Sequence, residues 1–378
     1  MKTRKQIPTL FITGAILTQL ALPAAEAPLP RPDGKPADMS KKVKVFILLG
    51  QSNMVGMGRI AAGNKPDGSL ENAVKAKKKY PYLVDEAGNW TERKDVRNVR
   101  VMVGRGGGMQ LFNNEWMTIK GKTIGPEIGI GHHLGNAIDA PVMILKSCIG
   151  NRSLGWDLLP PGSERYEFVV KDKQGVEKTM VYAGYKDRPD SWEMDKAKGL
   201  KTEPPPWVDK KTGKPIEWYA GKQYDDDIAN AKKVLEELDK YYPGAKGYEI
   251  EGFFFWQGDK DRYNAGHASR YEVNLVNFIK QLRKDFNAPN AKFVCATLGQ
   301  TEKGNKSNLN EAYILEAQLA VDGKTGKYPE FKGNVATVYS HPLSHGGASN
   351  SHYNGNAETY MDIGEAMGQA MVELLKTK

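Results

Sequence analysis

The sequence predicts an α/β protein, a three-layer α/β/α sandwich around a five-stranded parallel sheet. Five apolar runs rich in β-branched residues are bounded by turn residues, at 43–49, 99–103, 142–146, 248–255 and 292–298. Each run is nearly continuous in hydrophobicity, as expected of strands that are covered on both faces. Helical patterns lie between or after the runs, and this alternation is typical of a parallel sheet with helices on both sides.

The predicted helices carry the residues that helix ends favour. Pro126 stands at the first position of a helix over 127–136. The pattern over 225–242 starts with acidic residues and has Lys240 near its end, which suits the helix dipole. Further helices are predicted over 268–286, 308–321 and 357–376.

Residues 160–222 interrupt this alternation. The segment is rich in Lys, Pro and Gly and shows no clear hydrophobic period. A stretch of this length without predicted secondary structure is unusual inside a domain and indicates a functional insertion. We expect it to cover the active-site edge rather than to form a domain of its own.

The N-terminus has the features of a signal peptide. Three cations among the first five residues precede an apolar stretch over 10–22, which is too short to span a bilayer. The sequence Ala-Glu-Ala at 25–27 then provides a cleavage site. We predict a secreted or periplasmic protein without a membrane span, divided into a signal peptide, a proline-rich linker and one domain, over 1–27, 28–42 and 43–378.

The net charge of +9 does not indicate a nucleic-acid partner. The lysines are scattered along the chain, and no basic stripe is interleaved with stacking aromatic residues. A solvated basic surface is the simplest interpretation, and an anionic polysaccharide partner is the alternative.

The first candidate catalytic residue is Ser52, in the segment VFILLGQSNMVGMG. A predicted buried strand ends at Gly50, and the serine follows in a sharp turn. Ligands of open α/β sheets bind at the carboxyl ends of strands, which is where Ser52 falls. A serine hydroxyl needs a base to become nucleophilic, and without one Ser52 fits a turn or N-cap serine better.

The candidate base is His352, in the C-terminal segment SHYNGNAETYMDIGEAM. Four histidines lie outside the predicted helix over 127–136, and only His352 has an H-x-N pattern that leads directly into the final helix. A lone loop histidine is usually a surface residue, so the assignment depends on its partners.

Five sequence blocks resemble SGNH hydrolases, in the branch of sialate O-acetylesterases and related carbohydrate acetylesterases. GQSNM is similar to the nucleophile block of that family, and four further blocks follow in the family's order: GPEIGIGHHLG, ILKSCIGNRSLGWD, FFFWQGDKD and HYNGNA. The resemblance runs from residue 43 to the C-terminus, and 160–222 match poorly.

The resemblance implies the flavodoxin-like SGNH hydrolase fold, with strand order 2-1-3-4-5. It implies a serine esterase that removes acetyl groups from a carbohydrate, such as acetylated sialic acid or xylan, through an acyl-enzyme and without a cofactor. Ser52 would be the nucleophile and His352 its base. The backbone N–H groups of Ser52 and Gly150 and the amide of Gln257 would form the oxyanion hole, which usually contributes most to catalysis of this kind.

Two alternatives to this function stay open. One is an esterase for non-carbohydrate esters, and the other is a glycan-binding relative with weak or lost catalysis. The second arises because SGNH hydrolases place an aspartate three residues before the catalytic histidine, where this chain has Ser349.

Three arrangements could replace the missing aspartate. A backbone carbonyl or Ser349 could orient His352 in a Ser–His dyad, a carboxylate could be recruited from elsewhere, or catalysis could be weak. Asp259, which follows the strand end FFFWQG, is the best candidate for recruitment, ahead of Asp261 and Glu358.

Substrate-binding residues are expected around the nucleophile. Gln51 and Asn53 flank the serine, Arg105 lies in a glycine-rich loop after the second strand, and Trp156 follows the third strand closely. Three more tryptophans could stack on sugar rings or pack in the core: Trp192, Trp207 and Trp218.

The sequence predicts no metal site and no disulfide. His132 and His133 are adjacent on a helix and so lie on different faces. Cys148 and Cys295 end two predicted strands that another strand separates, which places their Cα atoms about 9–10 Å apart, beyond disulfide reach.

Overall fold

The computed structural model describes residues 29–104 and 107–377. Twelve strands form within these ranges: β1 (Val43–Gly50), β2 (Gly58–Arg59), β3 (Glu92–Val103), β4 (Met109–Thr118), β5 (Thr123–Ile124), β6 (Val142–Ser147), β7 (Tyr166–Lys171), β8 (Glu177–Tyr182), β9 (Ser191–Glu193), β10 (Tyr248–Trp256), β11 (Lys292–Ala296) and β12 (Val335–Val338). Seven α-helices accompany them: α1 (Ser52–Val55), α2 (Glu127–Ala137), α3 (Lys222–Glu236), α4 (Leu238–Tyr241), α5 (Ala265–Asp285), α6 (Leu309–Ala320) and α7 (Ala357–Lys376).

The central sheet has seven strands in the order β12-β11-β10-β1-β6-β3-β4. Neighbouring strands are parallel throughout, except that β4 runs antiparallel to β3. The predicted fold class is confirmed. The sheet is two strands wider than predicted, because β4 and β12 extend its two edges.

The predicted strand order is wrong at one point. The order 2-1-3-4-5 places the strand at 99–103 beside β1, whereas β6 lies between β1 and β3. Burial explains the exchange, since every residue of β6 is buried. The longer β3 alternates buried with exposed or half-exposed positions, and such a strand is suited to a place near the sheet edge.

Helices cover both faces of the sheet. Along β1, Ile47 and Leu49 point into a core completed by α3, α5 and α6. Phe46 and Leu48 point into the opposite core, completed by α2 and α7. All four side chains are buried, and each such burial contributes about 1.5–3 kcal/mol relative to exposure.

The long helices begin at asparagine caps that the patterns only approximately indicated. Asn264, Asn308 and Asn356 precede α5, α6 and α7, and each side chain accepts a hydrogen bond from a backbone N–H of the first turn. The single helix predicted over 225–242 is divided into α3 and α4.

The insertion contains regular structure that the sequence pattern did not indicate. Its strands β7, β8 and β9 form a small antiparallel sheet. Residues of β7 alternate between half-buried and exposed positions, so the hydrophobic signal is weak. Two contacts tie the sheet to the start of α5: Tyr182 Oη donates to Asn264 Oδ1 at 2.9 Å, and His267 Nε2 lies 2.8 Å from Asp190 Oδ1.

Cys148 and Cys295 are both free and buried, as expected. Two strands, β1 and β10, lie between β6 and β11, one more than the predicted order places there. In the part of the chain that the structure describes, no helix is long and apolar enough to cross a membrane. The predicted signal peptide lies outside the described residues.

Candidate active site

The chain bends sharply at the end of β1, directly before Ser52. Gly50 has a φ of 145°, and a Cβ atom there would lie 2.4 Å from the carbonyl oxygen of Trp256, so only glycine fits. The N–H of Gln51 donates to the same carbonyl at 3.2 Å. Ser52 then begins α1 at the carboxyl edge of the sheet, with 8% of its surface exposed.

Gly150 lies against the candidate nucleophile. A Cβ atom at Gly150 would be 3.4 Å from the Cβ of Ser52. This contact follows from the observed strand order, because β6 is the direct neighbour of β1 and the loops after both strands start side by side. The next residue, Asn151, has a φ of 58°, in the left-handed region.

Gln257, the predicted third oxyanion donor, is surrounded by protein acceptors. Its Nε2 atom donates to Gln51 Oε1 at 3.2 Å, Arg152 O at 2.8 Å and Asp261 Oδ2 at 2.6 Å. Its Oε1 atom accepts from Tyr271 Oη at 2.8 Å. The amide therefore joins the loops that follow β1, β6 and β10, and an oxyanion would compete with these acceptors for its two hydrogens.

The residues on either side of Ser52 hold the protein together rather than facing the solvent. Gln51 is 2% exposed, and its Oε1 atom also accepts from the backbone N–H groups of Gly258 and Lys260. Asn53 is 1% exposed, and its Oδ1 atom accepts from Tyr360 Oη at 3.1 Å. That Gln51 and Asn53 bind substrate stays a prediction.

His352 begins a strained left-handed turn. His352, Tyr353 and Asn354 all have φ values of 51–52°, a conformation that non-glycine residues avoid and that costs about 1–3 kcal/mol each. Contacts of Tyr353 fix the turn: its ring stacks on Trp256 at 5.9 Å, and its Oη accepts from the N–H of Gly299. Backbone strain of this kind clusters at functional sites.

Tyr360 connects this turn to the nucleophile helix. Its hydroxyl donates to Asn53 Oδ1 at 3.1 Å and lies 3.5 Å from the carbonyl oxygen of His352. Helix α1 is also in contact with the segment Ser349–Gly355. The candidate nucleophile and base are thus on neighbouring segments, and the imidazole of His352 is half-buried.

Asp259 does not contact the imidazole. Its Oδ1 atom accepts from Ser349 Oγ at 2.6 Å and from Arg262 Nε at 2.8 Å. Among the residues with described positions, no carboxylate forms an ion pair or hydrogen bond with His352. Ser349 and Arg262 both bind Oδ1 of this carboxylate, and a catalytic role of Asp259 stays a prediction.

The other two acids considered for recruitment have different partners. Glu358 pairs with Lys77 and Lys79. Asp261 is fully buried and accepts from the N–H groups of Leu154 and Gly155 as well as from the Gln257 amide. Burial raises the pKa of the Asp261 carboxyl. Through its hydrogen bonds this carboxyl joins the loop after β6 to the loop after β10.

The tryptophans divide between buried and half-buried positions. Trp192 is buried in the insertion and donates to Thr202 O at 3.0 Å, so it is a core residue. Trp156 is half-buried and packs edge-on against Trp207 at 6.3 Å. Trp218 supports the guanidinium of Arg152, 4.6 Å from its ring. Arg105 lies outside the described residues.

Arg152 was not predicted as a site residue. It follows Gly150 by two positions, and its Nε atom donates to Gln223 Oε1 at 3.1 Å. Within the described ranges it forms no ion pair with a carboxylate. Its signal in the sequence was a single arginine in the otherwise small and uncharged block IGNRSLG. No group of three or more metal-binding side chains is present in those same ranges.

One family model matches the chain. Residues 210–373, which include Gln257 and His352, match the family described as "Carbohydrate esterase, sialic acid-specific acetylesterase". The resemblance to carbohydrate acetylesterases is confirmed. The chain is a carboxylic ester hydrolase, and the matched region holds the last two of the five sequence blocks. No curated protein matches the chain in sequence.

Solved structures similar to this esterase have low sequence identity. A protein from Arabidopsis thaliana is 15% identical, with 89% of this chain and 100% of that chain covered and a TM-score of 0.44. A carbohydrate acetylesterase from Xanthomonas citri is 14% identical, with 86% and 55% covered and a TM-score of 0.44. NanS is 11% identical, with 91% and 100% covered and a TM-score of 0.47.

Proposed function

We propose that this carbohydrate esterase removes acetyl groups through an acyl-enzyme on Ser52, with His352 as the base. The observation that carries the proposal is the arrangement at the end of β1, where Ser52 follows a glycine-dependent bend and the Gly150 backbone lies against it. The strained turn at His352, on a segment in contact with α1, supports the assignment of the base.

The reaction has two steps. His352 takes the Ser52 proton as Oγ attacks the acetyl carbonyl, and the negative charge forms on the carbonyl oxygen. The ester C–O bond then breaks, and the imidazolium returns the proton to the leaving sugar oxygen. Water, deprotonated by His352, then attacks the acetyl-serine. The bond between Oγ and the acyl carbon breaks, the imidazolium returns the proton to Oγ, and acetate leaves.

Backbone N–H groups of Ser52 and Gly150 are the proposed oxyanion donors. Both belong to the loops that meet at the carboxyl edge of β1 and β6. Loss of one such donor typically costs about 3–4 kcal/mol in the barrier. Gln257 remains a proposed third donor, with the added role of joining Gln51, Arg152 and Asp261 around the hole.

The proposed base works without a directly bound carboxylate. Ser349, held by Asp259, anchors the start of the segment that leads to His352. The turn itself is fixed by Tyr353 against Trp256. A Ser–His dyad oriented by the backbone agrees with these contacts better than a triad does.

The proposed substrate is an acetylated glycan such as an acetylated sialic acid or xylan, met outside the cytoplasm. The family description supports the carbohydrate. Trp156 and Arg105 are the proposed substrate contacts from the sequence, and the export proposal rests on the N-terminal segment.

Acetate release from a panel of acetylated glycans tests this function. The panel includes O-acetylated sialic acid, acetylated xylan and a small chromogenic acetate ester. We expect turnover of the small ester and a higher kcat/KM on one glycan. Turnover of the small ester alone favours a non-carbohydrate esterase, and glycan binding without any acetate release favours the binding relative.

A further inference from the structure

A buried ion pair lies beneath the nucleophile helix. Lys146 is the fifth residue of β6, the strand next to β1, and only 1% of its surface is exposed. Its ammonium donates to Glu127 Oε2 at 2.5 Å and to the carbonyl oxygen of Val55 at 3.0 Å. Glu127 is 8% exposed. Neither ion takes part in the proposed reaction.

Stability does not account for this pair. Removal of two ions from water costs several kcal/mol each, and the attraction between them offsets that cost only in part. Replacement of a buried pair by uncharged residues of similar volume is often neutral or stabilising. A lysine at the fifth position of this mostly apolar strand therefore points to a role other than holding the sheet together.

The ammonium binds the end of the helix that begins at Ser52. Helix α1 has a single turn, closed by hydrogen bonds from Val55 N to Gln51 O and from Gly56 N to Ser52 O, both 3.0 Å. The last carbonyls of a helix have no partner within it, and a cation is favourable there. Lys146 supplies that partner for Val55 and so fixes the C-terminal end of the nucleophile turn.

Glu127 fixes the adjoining segment. Its Oε1 atom accepts from the N–H of Gly125 at 3.0 Å. Gly125 in turn lies against Gly56, where a Cβ atom would be only 2.5 Å from the Gly125 Cα. The pair thereby links the end of α1, the start of α2 and the centre of the sheet.

We propose that Lys146 and Glu127 are positioning residues that set the orientation of Ser52 through the C-terminal end of α1. This proposal rests on the function proposed for Ser52. Loss of the contact at Val55 lets the one-turn helix shift against β6. The Oγ atom of Ser52 then no longer lies between the imidazole of His352 and the oxyanion hole. A misplacement of about 1 Å costs on the order of 10²-fold in rate.

The double variant Lys146→Met/Glu127→Gln tests the proposal. Both substitutions conserve volume, and Glu127→Gln retains an acceptor for the N–H of Gly125. We expect a folded protein, a KM within about twofold, and a kcat reduced by about 10²-fold. A folded double variant with wild-type kcat overturns the proposal.

The matched control is Lys44→Met/Glu251→Gln, at the opposite end of the same sheet. Lys44 Nζ lies 2.6 Å from Glu251 Oε1 and also pairs with Glu249, so the control removes a partly exposed lysine–glutamate contact away from α1. We expect it to retain kcat. An equal loss in the control would show a general effect on the sheet and overturn the positioning role.

Two single variants decide the case in which the double variant does not fold. Glu127→Gln retains the Lys146 donor at Val55, whereas Lys146→Met removes it. At a temperature where both are folded, kcat of Lys146→Met should be at least about tenfold below that of Glu127→Gln, and equal values overturn the proposal. The rate at which a fluorophosphonate labels Ser52 should follow kcat. If wild-type Ser52 is not labelled, the proposed function itself fails, which is a distinguishable outcome.

Discussion

Ser349 donates a 2.6 Å hydrogen bond to Asp259, and both side chains are buried. Ser349 stands where SGNH hydrolases have the acid of the triad. The carboxylate of Asp259 is therefore joined by one hydrogen bond to the segment that carries His352. Arg262 forms an ion pair with Asp259 and a second ion pair with Glu311. The carboxylate therefore anchors the segment that leads to the base.

This relationship predicts mild and similar effects of Asp259→Asn and Ser349→Ala. Ser349→Ala removes one hydrogen bond, and Asp259→Asn weakens that bond and the ion pair with Arg262. We expect kcat to fall by about tenfold or less in each, because loss of a true triad acid costs about 10⁴. The double variant should be no worse than the more severe single one, since both changes affect the same contact. A fall of about 10³ or more in Asp259→Asn at neutral pH would instead restore a direct triad role.

The strand positions could be predicted where burial is complete. The apolar runs of β1, β6, β10 and β11 are covered on both faces, so their composition alone reveals them. The edge strand β4 could not be predicted, because MQLFNNEWMT is mostly exposed or half-exposed and half of its residues are polar. The strand order was predicted wrongly because hydrophobicity indicates where strands lie in the sequence but not which strands are adjacent in the sheet.

Predictions of the site were limited in a similar way. Ser52 and Gly150 lie just after the ends of two strands. The sheet edge therefore brings them together independently of the loop conformations. The contacts of Gln51 and Asp259 depend on side-chain directions in loops, which no spacing encodes. The sequence does contain a signal for Lys146, because it is a lysine inside an otherwise apolar predicted strand.

Gln257→Ala is expected to reduce both kcat and stability. The substitution leaves the buried carboxylate of Asp261 with one donor fewer and removes the closer of the two acceptors of the Tyr271 hydroxyl. An unsatisfied buried polar group costs about 1–3 kcal/mol, which chemical denaturation can measure. Unchanged stability with a reduced kcat would indicate a simple oxyanion donor and contradict the joining role.

Tyr360→Phe is expected to lower kcat by about three- to tenfold without unfolding the protein. The hydroxyl contributes a hydrogen bond to Asn53, worth about 0.5–1.5 kcal/mol, and the ring keeps its packing on Trp256. Steady-state kinetics and circular dichroism measure the two effects. An unaltered kcat would mean that Tyr360 does not couple α1 to the turn of His352.

His267 should make stability depend on pH. Burial opposes its charged form, but the hydrogen bond and charge of Asp190, with the nearby Asp261 and Asp157, outweigh burial and raise the pKa of His267. The resulting stability is fully present below the unfolded pKa of about 6.5 and is lost as pH rises through the raised folded value.

Denaturation at several pH values checks this dependence. The free energy of unfolding of the wild type should decrease from about pH 6.5 upward, and His267→Asn should decrease less over the same range. Asp190→Asn removes the main partner and should flatten the profile in the same way. Parallel profiles for all three proteins would show that the imidazole carries no charge in the folded state.

The central claim is that Ser52 forms the acyl-enzyme, and turnover of a small acetate ester by Ser52→Ala tests it most directly. Ser351→Ala, which changes an exposed serine beside the base, is the matched control. We expect kcat of Ser52→Ala to fall by at least about 10³-fold with an unchanged melting temperature, and the control to retain wild-type kcat. Near-wild-type turnover by purified, folded Ser52→Ala would contradict the mechanism.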